Sequence, residues 1–200
     1  MYLTDEQIDA LQELVNIGVG RAASVLNEMV EARIILQIPF IKVLTPLNLK
    51  EELEGRFNDD YLAAVRLGFR GSFCGAAELV FPTDSASTLV AVLTGEEPGT
   101  PDLDALKIGT LSEVGNIVIN GVMGSIGNVL KQHMDYAVPT YLEDTIENLL
   151  TSDTNVAILL AQARFTIEQL QIIGDIILLF EVSSFDALLE AINQELGVPL

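Results

Sequence analysis

Residue n of this 200-residue chain matches residue n+100 too often for coincidence, and that period constrains the fold more than any single motif does. Leu3 aligns with Leu103, Ile8 with Ile108, Leu11 with Leu111, Glu13 with Glu113, Asn16 with Asn116, Ile17 with Ile117 and Pro39 with Pro139. Further on, an offset of 99 places Gly75, Leu79, Phe81, Ser85 and Leu89 on Gly174, Leu178, Phe180, Ser184 and Leu188. A fixed offset sustained along a chain marks copies of one structural unit. The copies run over about 1–98 and 99–200. They meet in Thr94-Gly95-Glu96-Glu97-Pro98-Gly99-Thr100-Pro101, a run of structure breakers too short for a flexible tether. The expectation is one domain of two repeats sharing a core around a pseudo-two-fold axis.

Each copy has the same predicted order of elements. Thr4 and Gln7 are spaced as a capping box, and Ile8, Leu11, Leu14, Val15, Val19, Ala22, Val25, Leu26 and Met29 recur at steps of three and four, predicting a helix over 5–30. Leu111, Val114, Ile117, Val118, Val122, Ile126 and Val129 predict its counterpart over 103–131, with Asp102 or Asp104 near its start. Strand-like segments follow at 34–43, 64–70 and 76–81, and again at 136–142, 156–167 and 171–182. Short helices close each copy at 84–93 and 184–196, with Asp84 and Ser184 as N-caps. The predicted fold class is α+β: one mostly antiparallel sheet of about six strands with two long helices packed on it.

Composition then removes whole classes of function. The chain carries 29 acidic and 10 basic side chains, a net charge of -19, which opposes binding to nucleic acid or to an anionic membrane. Both copies are acidic, with 15 acidic and 7 basic residues in the first hundred and 14 and 3 in the second. One cysteine and one histidine build neither a disulfide framework nor a closed Cys/His zinc site. No apolar run approaches the roughly 18 residues of a membrane span, and the acidic start lacks a basic leader, so a soluble cytoplasmic protein is expected.

Chemistry is expected where the helical pattern departs from packing. Asp9, Glu13, Asn16 and Gly20 lie four, three and four residues apart, on one stripe of the first helix; Gly109, Glu113, Asn116 and Asn120 form the matching stripe on the second. A solvated helix face commonly carries Glu and Asn. Asn is a mediocre helix former and Gly a poor one, however, and both helices repeat Glu-x-x-Asn among several glycines. The glutamate can pair with a cation, and the carboxamide can donate to or accept from a water or phosphoryl oxygen.

Asp9, Glu13, Asn16 and Pro39 fit every position of Asp/Ser-x3-Glu-x2-Asn-x22-Pro, and in this the chain resembles the CheC/CheX/FliY phosphatases of chemotaxis, specifically the two-signature CheC type. Glu113, Asn116 and Pro139 fit the second signature, whose first position is Gly109 in place of Asp or Ser. The resemblance implies hydrolysis of the phosphoaspartate of the response regulator CheY. Glu13 and Glu113 would dock against the regulator's active-site lysine, and Asn16 and Asn116 would orient the attacking water. Mg2+ would come from the receiver domain, with no cofactor or metal held by this chain. Such proteins also associate with the deamidase CheD, so the alternative is a module binding CheD or phosphorylated CheY with little catalysis. The departure at Gly109 predicts a first site at least as active as the second.

Other features are given ordinary roles. Gly18-Val19-Gly20-Arg21-Ala22-Ala23 mimics a dinucleotide fingerprint but lies inside a helical period. Cys74 reads as a small buried residue, His133 as a surface residue at the C-terminal end of the second helix, and the acidic runs at 51–54 and 59–60 as solvated loop. The two signature prolines are read as structural.

Overall fold

The computed structural model describes residues 3–29, 33–38, 40–56, 61–97, 103–149, 156–167 and 170–196. In chain order the elements are α1 (Asp5–Met29), β1 (Ile34–Gln37), β2 (Ile41–Leu44), α2 (Pro46–Arg56), β3 (Leu62–Gly71), β4 (Gly75–Pro82) and α3 (Thr83–Thr94). The same order returns as α4 (Leu103–Val129), β5 (Met134–Tyr136), β6 (Thr140–Asp144), α5 (Ile146–Leu149), β7 (Val156–Ile167), β8 (Leu170–Glu181) and α6 (Val182–Leu196).

Eight strand segments occupy six positions across one sheet. β1 and β2 both pair with β7, then come β8, β4 and β3, and β5 and β6 both pair with β3; every one of these pairings is antiparallel. The outermost strands of each copy are therefore hydrogen-bonded to the other copy. Each was predicted as one strand, over 34–43 and 136–142, and each is interrupted, at 38–40 and 137–139. Pro139 stands in the second gap, where a residue without an N–H cannot extend the ladder. Pro39 lies outside the described residues.

The central strands β4 and β8 are covered on both faces, which is why Leu79, Val80 and Phe81 and the run from Ile176 to Phe180 are almost continuously buried. On one face α1, α3, α4 and α6 cover the large core, which includes Phe81, Phe165, Phe180 and Phe185. On the other, α2 and α5 cover a smaller one through Leu49, Leu53, Ile146 and Leu149. Here the Arg66 guanidinium pairs with Glu78 and donates to the carbonyl of Leu149, 2.8 Å away. Burial raises the Glu78 pKa, and the adjacent Arg66 charge and its hydrogen bond oppose that rise.

Several sequence expectations are corrected. Residues 51–54 are part of α2, not loop, because Leu49 and Leu53 stand one turn apart and both are buried. Asp59 and Asp60 lie outside the described residues. Asp84 and Ser184 fall inside the first turns of α3 and α6: Pro82 takes the N-cap position of α3 with no side-chain cap, and the Ser184 hydroxyl accepts the N–H of Cys74 at 3.0 Å. Cys74 is half-buried, since it belongs to the β3–β4 turn rather than to a strand interior. His133 is exposed beyond α4, 3.5 Å from Asp135. Asp102 and the second half of the expected junction between the copies, residues 98–101, lie outside the described residues. Among those described, no helix is long and apolar enough to cross a membrane.

Candidate functional site

The two long helices are positioned by glycine. A side chain at Gly18 would collide with the backbone of Val122, and one at Gly121 would come within 2.7 Å of the Gly18 carbonyl oxygen. The helices cross there, backbone against backbone, and the fingerprint-like stretch at 18–23 is used for packing. Gly115 fits against Val65 of β3 in the same way, whereas Gly20, Gly109 and Gly124 face open space. The N-terminal half of α1 lies beside the end of α4 at Val129, and the N-terminal half of α4 beside Leu26 and Met29 of α1, so the pair is antiparallel.

Packing leaves the same polar positions outside on both helices. Residues 11–19 and 111–119 have identical sequences of buried, half-buried and exposed positions: Leu11, Leu14, Val15, Gly18 and Val19 point inward, as do Leu111, Val114, Gly115, Val118 and Ile119. Glu13 and Glu113 are exposed, and Asn16 and Asn116 half-buried. Each glutamate thus shares a helical face with its asparagine, one turn away. The two pairs lie on opposite sides of the crossing, their centres roughly 15 Å apart along the helices at about 1.5 Å per residue, so they form two sites. Neither Glu13 nor Glu113 enters an ion pair among the described residues, which leaves both carboxylates open to an external cation.

Beside each glutamate lies a mostly apolar cleft that the sequence did not disclose. Glu13, Leu14 and Ile17 face Val129 and Leu130 at the end of α4 and Ile192 of α6 across about 190 Å3. Glu113 and Val114 face Leu26 and Met29 of α1 and Leu93 of α3 across about 400 Å3, with Gly109 on the rim. The only available signal was that Met29 extends the apolar period of α1 to its end, where it emerges 56% exposed.

The sites differ in the turn that follows. Asn120 donates from Nδ2 to Oδ1 of Asn116 over 2.7 Å. Gly20 occupies the equivalent place on α1, and the Asn16 amide has no hydrogen-bond partner among the described residues. The helix starts are anchored differently as well. Thr4 and Gln7 form a reciprocal capping box at 3.0 and 3.2 Å, and Gln7 donates to Asn193 of α6 at 3.0 Å. On α4 the anchor is charged: buried Lys107 lies 3.1 Å from Glu143, which also accepts from Tyr141 at 2.6 Å. Among the described residues no group of three or more His, Cys, Asp or Glu is placed to hold a metal ion.

No protein-family model matches the chain. It is 27% identical over 144 residues to the CheY-P phosphatase CheC of Bacillus subtilis strain 168, an alignment covering 68% of this chain and 66% of CheC, just under two thirds of that protein's length. Its fold is shared with Thermotoga maritima FliY, with a TM-score of 0.77, 16% identity and coverage of 98% of this chain and 100% of that one. It is also shared with the FliM middle domain of H. pylori, at a TM-score of 0.65, 13% identity and coverage of 94% and 99%. A chemotaxis protein CheX from Desulfovibrio desulfuricans is similar at a TM-score of 0.54, 17% identity and coverage of 83% and 99%. The chain is a CheC homologue with the FliY/CheX-type fold.

Proposed function

We propose that this CheC homologue hydrolyses the phosphoaspartate of the chemotaxis response regulator CheY, with one site on α1 and one on α4. The observation that carries the reading is the recurrence of Glu-x-x-Asn in one burial pattern on both helices, each glutamate without an ion-pair partner among the described residues. In this scheme Glu13 or Glu113 pairs with a lysine of the receiver domain, and Asn16 or Asn116 enters the phosphorylation site. An amide suits the task because an acyl phosphate is already activated and its hydrolysis needs chiefly an aligned nucleophile and charge compensation. The water oxygen bonds to phosphorus while the bond from phosphorus to the aspartyl oxygen breaks. The carboxylate leaves with the electron pair, and the water protons pass to phosphate and bulk solvent. Mg2+ belongs to the receiver domain in this scheme, and the chain's net charge of -19 favours a partner that presents a cation.

Decay of CheY-phosphate, followed with the wild type, E13A/N16A, E113A/N116A and the quadruple variant, tests the proposal. The wild type accelerates decay, each double variant retains part of the effect, and the quadruple variant returns decay to the rate of CheY-phosphate alone. No acceleration by the wild type, or full acceleration by the quadruple variant, would sink the reading. A second reading, a module that binds CheD or phosphorylated CheY with little catalysis, draws support from the FliM likeness, because one fold hosts different functions. It requires partner binding that survives all four substitutions alongside negligible hydrolysis.

A further inference from the structure

The bond between Asn120 and Asn116 has no counterpart at the first site, and its placement bears directly on the amide assigned to the water. Helical side chains lean toward the helix N-terminus, so a residue at position 120 reaches back over the turn that carries Asn116. Its Nδ2 meets Oδ1 of Asn116 at 2.7 Å. Gly20 cannot make this contact, and Asn16 has no hydrogen-bond partner in its place among the described residues. Asn120 is half-buried beside the site and is engaged by no charged group among the described residues.

The chemistry makes the orientation of the amide matter. A water that attacks phosphorus uses an oxygen lone pair, so the positioning group must accept a hydrogen bond from that water, through the carbonyl oxygen of the amide. An amide turned end for end offers N–H instead and competes for the lone pair that the attack requires. An unrestrained Asn samples both orientations and several rotamers. One whose oxygen already receives an N–H is held in one plane, and that oxygen retains a second lone pair.

We infer that Asn120 is a positioning residue of the second site, holding the Asn116 amide so that the free lone pair of Oδ1 receives the attacking water. The first site, with Gly20, works without this restraint. The inference rests on the phosphatase reading and assigns Asn120 no contact with the phosphoryl group or with the docking glutamate. Its effect therefore falls on kcat and leaves KM unchanged.

The test isolates each site in the full chain and uses cognate CheY phosphorylated with acetyl phosphate. In an N16A background, N120A is expected to lower kcat about fivefold, the size of one ordinary hydrogen bond's net contribution, with KM unchanged. The reciprocal change, G20N in an N116A background, is expected to raise the kcat of the first site, because position 20 faces open space and accepts a side chain. In the uncomplexed chain, N120A also shifts the side-chain amide resonances of Asn116. Equal kcat for N16A and N16A/N120A overturns the inference, as does an N16A variant without activity when the wild type is active. A fall in thermal midpoint and a rise in KM with kcat intact would mean a structural role and also overturn it. A wild type that fails to accelerate decay removes the phosphatase reading itself, a result distinct from each of these.

Discussion

The two candidate sites share one scaffold and differ in almost everything the scaffold does not enforce. Positions 11–19 and 111–119 match in burial residue by residue, because both helices must fill the same space between a crossing partner and the sheet. At the solvent face Asp9 corresponds to Gly109 and Gly20 to Asn120, and the neighbouring clefts measure about 190 and 400 Å3. One helix start is held by neutral amides and the other by a lysine, a tyrosine and a glutamate. Packing binds the inner face to a narrow choice of residues, whereas the outer face can change within a copy without disturbing the fold. The glutamate and asparagine that remain alike on that free outer face therefore stand out.

The largest expected effect tests what the sites share. Gly18→Val forces a branched side chain into the backbone of Val122, and overpacking of this kind costs about 3 kcal/mol or more. Denaturant unfolding should show that loss, and both sites should weaken together because the crossing orients both helices. Loss confined to one site would break the picture of a common hinge point.

The next effect separates the two anchors. Partial burial pushes the Glu143 carboxyl up, but the hydrogen bonds from Tyr141 and Lys107 and the Lys107 charge more than offset this, so its pKa lies below the ordinary carboxylate value. A lowered folded-state pKa contributes stability that is present above the unfolded value and is lost as pH falls through the folded one. Glu143→Gln should therefore cost about 1–2 kcal/mol at neutral pH, less than a fully buried pair because Glu143 is partly solvated. Variant and wild type should converge in strong acid. Gln7→Ala, at the neutral anchor, should give a loss that does not change with pH over the same range. A pH-independent Glu143→Gln loss would contradict the assignment.

The smallest effect concerns the position where the second copy departs from the signature. Gly109 faces open space, so Gly109→Asp introduces no clash and relieves the helix of a residue with excess backbone freedom. A gain of about 0.5 kcal/mol is expected, read as a thermal midpoint higher by roughly 1–2 °C. Second-site kcat should stay within about twofold, since this position lies a turn before Glu113 and away from the amide. A large increase would make the missing carboxylate a working part of the site and would support the expectation of a first site at least as active as the second, which rests on Gly109 alone. Asn120 is the counterweight that this expectation did not consider.

Most of the architecture was legible because it is written in periods. Leu11, Leu14, Val15 and Val19 report a helix whatever surrounds it, and the β7 bounds coincide with the strand-like segment expected at 156–167. The two small helices α2 and α5 were missed because acidic residues and short length mask Leu49, Leu53, Ile146 and Leu149, whose burial depends on a sheet face far away in sequence. The edge strands were read as unbroken because hydrophobic pattern alone does not count backbone donors. At the site, Glu13, Asn16, Glu113 and Asn116 could be named from spacing. The clefts could not, since each is lined by residues from three helices, and neither could the Asn120 bond, which depends on a rotamer.

The exchange of edge strands has a consequence for how the molecule comes into being. β1 and β2 find their partner strand in β7, whose residues follow β2 by more than a hundred positions, and β5 and β6 pair with β3. During synthesis the first copy therefore waits, its outer segments unpaired, until most of the second has emerged from the ribosome. Pairings so distant in sequence carry a large loop-closure cost before they return any stabilisation, which makes assembly slow and late. The α1 side and the α4 side of the molecule share one sheet, and neither can be finished before the other is nearly built.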